Sequence, residues 1–190
     1  MIVLASRSPR RQQLLDMLGI EYEVDPAEID ERAEPGELPE SLAVRLAREK
    51  SVVVALRHPD TPTLAADTLV VLDDLILGKP LSPEDAERML GMLSDRQHRV
   101  ITAVALTVDG NTSERFDVTR VWFRQLDQDL IRSYVATGEP LDKAGSYGVQ
   151  GRGAILVERI EGDFFGVMGL PLRLVVALLD SADIPYRFTR

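Results

Sequence analysis

Short apolar runs closed by polar turns, alternating with segments of helical period, constrain this chain more than any other feature. Residues 1–5 read as a buried strand, and 64–72 as a second. Leu75-Ile76-Leu77 follows after Asp73-Asp74, which predicts a tight hairpin. Between the first two strands, Ser8 serves as N-cap and Pro9 as first helical residue. Leu14, Leu15 and Leu18 supply that helix's apolar face, and Gly19 ends it. A short strand over 22–24, a proline-rich acidic loop over 25–39 and a helix over 40–56 come next. Ser82-Pro83-Glu84-Asp85 caps a helix that ends near Leu93. Strands near 98–108 and 114–124 flank the turn Asp109-Gly110-Asn111. The remainder reads as a helix over 127–137, irregular Gly-rich chain over 138–153, a strand over 154–160, a helix over 170–179 and a last strand over 186–188. No linker, repeat or low-complexity stretch interrupts the 190 residues. The interleaving therefore predicts one α/β domain, 1–190, with a mixed sheet flanked by helices.

Composition then narrows the chemistry. The chain has no Cys, which excludes disulfides, thiolate nucleophiles, Cys-ligated zinc and iron–sulfur clusters. With only His58 and His98, a multi-histidine metal site is excluded, and a Ser-His-Asp triad would need one of these two. His58, before Pro59, reads as an exposed loop residue, and His98 as structural. Any metal should be held by oxygen, as Mg²⁺ or Mn²⁺ is. The net charge of −9 argues against a polymeric nucleic-acid partner. No run of 18 apolar residues is present, and the first residues lack the pattern of a signal peptide. The expectation is a cytoplasmic protein with no membrane partner.

Three segments could carry chemistry. Ser6-Arg7-Ser8-Pro9-Arg10-Arg11 joins a buried strand to a helix start, where free backbone N–H groups, two hydroxyls and three guanidinium groups converge. This is the donor array a phosphate requires, although an ordinary helix start with solvated arginines is the competing reading. Asp67-Thr68 interrupts an apolar strand. A carboxylate there is either at an edge or bulge, or is held by a cation for a function. Lys79, closing the next strand, could supply that cation or simply be solvated. The segment 139–151 is rich in glycine, which lets a ligand approach the backbone, and its Gln150 amide could read a base edge.

Together these segments resemble the Maf family of nucleoside triphosphate pyrophosphatases. The resemblance rests on Ser6-Arg7-Ser8-Pro9-Arg10-Arg11, Leu46-Ala47-Arg48-Glu49-Lys50 and Ala66-Asp67-Thr68-Leu69-Val70. It continues through Leu77-Gly78-Lys79-Pro80, Glu139-Pro140-Leu141-Asp142-Lys143-Ala144-Gly145, Tyr147-Gly148-Val149-Gln150-Gly151 and Gly169-Leu170-Pro171. It implies an elongated mixed α/β sheet with two lobes and a central cleft, and a homodimer. The implied activity is metal-dependent cleavage of a nucleoside triphosphate into a monophosphate and pyrophosphate, with Mg²⁺ or Mn²⁺ as cofactor. The resemblance makes Asp67 the general base and Glu31, with Asp67, the metal-holding pair. It places Ser6 and Ser8 in the phosphate loop and Lys50 and Lys79 on phosphates, makes Arg11 a further substrate-binding residue, and ties Arg10, Thr68 and Gln150 to substrate choice. Arg10-Arg11 after Ser8-Pro9 resembles the branch acting on dTTP and UTP, with modified pyrimidine nucleotides as further candidates. One departure is Arg7, at a position where many members carry a small residue.

Two rival classes follow from the same residues. A nucleotide-binding regulator of cell division, with little turnover, is the alternative that the family's link with septum formation suggests. A phosphatase of the haloacid-dehalogenase kind would need a second Asp two residues after Asp67, where Leu69 stands.

Overall fold

The computed structural model describes residues 1–188. Strand β1 (Ile2–Leu4) is buried throughout, the pattern of an inner parallel strand. It pairs in parallel with β2 (Tyr22–Val24) and with β3 (Thr63–Leu72). Helix α1 (Pro9–Leu18) crosses from β1 to β2, and α2 (Pro39–Ala55) from β2 to β3. Gly19 closes α1 at φ 65°, a left-handed cap that a Cβ would disfavour. Ser8 occupies the N-cap position of α1, but its side chain makes no capping bond, contrary to the sequence expectation.

After β3 the chain turns at Asp73-Asp74 into β4 (Leu75–Leu77), with Val70 opposite Leu77. Helix α3 (Pro83–Leu93) is capped as expected: Ser82 Oγ accepts from Asp85 N at 3.2 Å. The long hairpin is β5 (Gln97–Val108) and β6 (Asn111–Phe123), so Asn111 belongs to the strand and Asp109-Gly110 alone make the turn. Helix α4 (Gln128–Val135) is followed by three 3₁₀ turns, Glu139–Asp142, Ala144–Ser146 and Gly151–Leu156. Strand β7 (Val157–Glu161) pairs antiparallel with β6, and α5 (Phe164–Met168) and α6 (Leu172–Ser181) complete the elements. The seven strands form one sheet in the order β2-β1-β3-β5-β6-β7, with β4 paired to β3. The chain is thus an α/β protein with a mixed sheet. Residues 186–188 form no strand; Tyr186 instead donates its hydroxyl to Leu18 O at 2.9 Å. Among the described residues no helix is long and apolar enough to cross a membrane.

The chain divides into two compact units. The first holds Met1–Asp67, Thr102–Asp117 and the described residues from Gly169 on; the second holds Thr68–Ile101 and Val118–Met168. Part of the first unit's core packs Val3, Ala5, Val54 and Ala65 together, which sets α2 against β1 and β3. In the second, α3, α4 and the neighbouring strands bury Val70, Leu90, Phe123, Ile131 and Leu156.

His98 lies in this second core, 1% exposed, with Nε2 2.7 Å from the Tyr147 hydroxyl and both rings edge-on to Phe123. Burial pushes its pKa down to about 4, so the native state keeps the ring neutral where the unfolded chain takes up a proton near pH 6.5. Stability from this group is therefore complete above about pH 6.5 and is lost as the pH falls toward 4. Between pH 7 and 5 the loss should be about 2 kcal/mol. Urea unfolding of wild type and His98→Gln at both pH values checks this: the variant should show the smaller pH dependence, and equal dependence refutes it.

Candidate active site

Because β1 and β3 run parallel, with Leu4 opposite Leu64, the loop after β1 and the middle of β3 lie toward the same end of the two strands. In open α/β sheets that end is where ligands bind. Asp67 is 7% exposed on β3. Its Oδ1 accepts from Lys50 Nζ at 2.7 Å, and the same ammonium meets Glu31 Oε1 at 2.6 Å. Lys50, rather than Lys79, is therefore the cation at Asp67. Helix α2 aims Lys50 there because Ser51 Oγ donates to Thr63 O at 2.8 Å and Val54 packs on β1 and β3. Lys50 and Asp67 side chains are each about a tenth exposed, so losing Lys50 would leave two carboxylates uncompensated, whereas losing the Asp67 charge leaves the ammonium paired with Glu31.

Glu31 comes from the loop 25–38, which is pinned at both ends. Asp25 accepts from Arg57 at 2.8 and 2.9 Å and meets His58 Nε2 at 2.8 Å. These bonds, Arg57's first and His58's second, hold the Asp25 carboxyl below its usual range. His58 is thus half-buried and paired, not the exposed loop residue expected. At the other end Glu37 accepts two bonds of 2.8 Å from Arg45, which lower its pKa to about 2. Two such anchors turn an acidic loop, which would otherwise be solvated, into a holder for Glu31.

On the phosphate-loop side, Ser6 Oγ accepts from Ser8 N at 3.2 Å and from Arg11 Nη1 at 3.1 Å. Arg11 Nε also donates to Gly169 O at 2.8 Å. Burial pulls the Arg11 guanidinium below its ordinary pKa, Asp67 opposes this, Arg10 adds to it, and Glu31 opposes it. Ser6, Ser8, Arg10, Arg11, Lys50, Glu31 and Asp67 therefore gather in the first unit, three cations against two carboxylates in a chain of net charge −9. Arg7 does not join them; it is exposed and pairs with Glu28 at 3.2 Å. Thr68, Lys79 and Gln150 belong to the second unit. Thr68 is half-buried on β3, Lys79 is exposed just past β4, and Gln150 is exposed just before the third 3₁₀ turn.

Glu31 and Asp67 face one cation from two elements, an all-oxygen donor pair of the kind Mg²⁺ accepts when substrate oxygens and waters complete its shell. Among the described residues no group of three or more His, Cys, Asp or Glu could hold a metal alone.

The model of the family described as "Maf-like protein" matches residues 1–182. The chain belongs to the Maf family. It is 52% identical over 178 residues to a dTTP/UTP pyrophosphatase of Syntrophomonas wolfei, covering 93% of this chain and 94% of that protein. Proteins of the same name from Desulfotalea psychrophila and Myxococcus xanthus are 48% and 50% identical, covering 94% and 97% of this chain and 92% and 94% of theirs. Two solved structures share the fold. One is a HAM1 protein from Coxiella burnetii, with TM-score 0.51 and 19% identity over 82% of this chain and 79% of that one. The other is the Staphylococcus aureus Ham1 protein, with TM-score 0.53 and 15% identity over 95% and 98%.

One residue of the first unit and one of the second were not singled out by the residues alone. Gly169 was legible only as part of a motif; its carbonyl anchors Arg11 from 158 residues away. Glu139, in the second unit, opens the glycine-rich segment and was given no role of its own, yet it accepts bonds from Tyr134, Arg152 and Gly153. A carboxylate preceding a glycine-rich stretch is the one signal that could have marked it.

Proposed function

We propose that this protein hydrolyses dTTP and UTP to the nucleoside monophosphate and pyrophosphate, with a divalent metal held by Glu31 and Asp67. The observation that carries this reading is the Lys50 ammonium set between Asp67 Oδ1 and Glu31 Oε1, beside the Ser6–Arg11 donor loop. Turnover, rather than binding alone, is favoured by the activity for which the similar proteins are named. Mg²⁺ or Mn²⁺, when bound, supplies charge neutralisation on the phosphates and a more acidic water.

The chain's own residues do the rest. Arg11 and the N–H groups at the start of α1 hold phosphate oxygens, and Lys50 and Lys79 neutralise their charge. Ser6 keeps Arg11 oriented through its 3.1 Å bond. Asp67 orients a water and takes its proton as the water oxygen bonds to phosphorus and the α–β anhydride bond breaks, with pyrophosphate leaving. Arg10, Thr68 and Gln150 select the nucleotide, Gln150 by hydrogen bonding to a 4-oxo pyrimidine edge.

A panel of standard and modified triphosphates, assayed for pyrophosphate and monophosphate with and without Mg²⁺ or Mn²⁺, tests this. dTTP and UTP should lead dCTP and dATP, and metal-free protein should be inactive. A purine-led or flat profile, or orthophosphate as product, overturns it. A cytoplasmic location and a homodimer belong to the same proposal, the latter checked by sedimentation in solution.

A further inference from the structure

The Glu139 carboxylate is half-buried and meets three converging donors. Oε1 accepts from the Tyr134 hydroxyl and from Gly153 N, each at 3.0 Å, and Oε2 accepts from Arg152 N at 3.1 Å. Tyr134, anchored in the core on α4, also accepts from Gly148 N at 3.3 Å. The fastened positions 148, 152 and 153 bracket Gln150 on both sides, while Gln150 itself stays exposed. The glycines suit this arrangement. Gly151 sits at φ 81°, and a Cβ there would come 3.1 Å from Glu139 Oε2. Burial alone would raise the Glu139 pKa, but the N–H groups of Gly153 and Arg152, the Tyr134 hydroxyl and the Lys143 charge outweigh it and hold the group ionised. Three donors facing one group call for an acceptor with no N–H of its own, which a carboxylate is and an amide is not.

We propose that Glu139 and Tyr134 are positioning residues that set the nucleotide preference by holding the backbone on either side of Gln150. The proposal rests on the reading of Gln150 as the base-selecting residue. A bound base gains from hydrogen bonds only when the reading group is already placed, and displacement by about 1 Å can cost 10²-fold. Rigid backbone on both sides of an exposed amide provides that placement.

The test is steady-state pyrophosphate release from dTTP, UTP and dCTP by wild type, Gln150→Ala, Tyr134→Phe, Glu139→Gln and the Glu139→Gln/Gln150→Ala double variant, alongside melting temperatures. Glu139→Gln should raise KM for dTTP about tenfold and Tyr134→Phe about threefold, with kcat within about twofold, and both should shrink the preference for dTTP over dCTP. The double variant should lose no more preference than Gln150→Ala alone, because Glu139 acts through that residue. A purely structural role would lower the melting temperature and leave the dTTP/dCTP ratio at its wild-type value. That result for Glu139→Gln and Tyr134→Phe, with Gln150→Ala losing the preference, overturns the positioning role and keeps the base reading. An unchanged ratio in Gln150→Ala overturns the base reading and the proposal with it. Tyr134→Phe keeps the ring's packing, so it decides the matter even where Glu139→Gln fails to fold.

Discussion

Asp67→Asn is expected to lower kcat by about 10³-fold while the protein remains folded, because a positioned base contributes about 10²–10⁴-fold. Asn has the shape of Asp and can still accept the 2.7 Å bond from Lys50, so α2 and β3 stay joined. It cannot take a proton from water. The loss should fall on kcat and kcat/KM together, since the interaction removed is made in the transition state. The expected pattern is near-wild-type melting with near-absent pyrophosphate release at saturating dTTP. Turnover within tenfold of wild type would remove Asp67 from the chemistry. Lys50 makes the experiment sharper. Lys50→Gln leaves two carboxylates without their shared ammonium, so it should cost stability as well as activity, whereas Asp67→Asn should cost activity alone.

Most of the fold was legible because local signals agreed with packing. Ser82 and Pro83 predicted the start of α3, and Ser82 does cap it. The apolar runs at β1 and β3 are buried as inner strands must be. The strand misreadings share one cause, contacts distant in sequence. Residues 154–156 have the composition of a strand but complete a 3₁₀ turn, since the Glu139 bonds to Arg152 and Gly153 shape the preceding backbone. Tyr186 has strand propensity, yet its hydroxyl goes to Leu18 O and no ladder forms. Helix α5 is five residues long, too short for helical period to show, although Asp163 accepts from Gly166 N as an N-cap would. The two units left no trace of a linker because three of their boundaries fall inside β3, β5 and β6 and the fourth in the short turn between α5 and α6.

The site divides in the same way. Asp67 stood out because a carboxylate in an apolar strand needs a reason. Its partner did not, because nothing local distinguishes Lys50 from the other charges of α2. Lys79 seemed nearer through the hairpin, but tertiary packing of Ser51 and Val54 decides which ammonium arrives. Likewise, the acidic loop's composition did not single out which carboxylate would be held; only the family resemblance pointed to Glu31. Arg45, Arg57 and His58 decide that by anchoring Glu37 and Asp25 and leaving Glu31 between them.

Gly153→Ala should be among the most destabilising single-methyl additions in this chain. A Cβ built there would lie 2.4 Å from Gly148 O and 2.5 Å from the Tyr134 hydroxyl, closer than real Cβ contacts come. One neighbour is backbone and the other is tied to Glu139 and Gly148 N, so neither can swing aside as a flexible side-chain end would. Relief requires moving the 148–153 backbone, which breaks the bonds from Gly148, Arg152 and Gly153 together. Overpacking typically costs about 1–3 kcal/mol, and the lost bonds to a charged acceptor add to it. At about 2–4 °C per kcal/mol for a domain of this size, the melting temperature should fall by about 5–12 °C. Gly91→Ala is the opposite case. Gly91 is exposed on α3 with nothing within 4 Å of its Cβ position, so alanine gains helix propensity and should raise the melting temperature. The two variants add the same methyl group with opposite expected signs, so thermal unfolding of the pair isolates the clash from any general effect of replacing glycine. Equal melting temperatures for Gly153→Ala and wild type would show that the 148–153 backbone yields freely, and a backbone that yields freely could not hold Gln150.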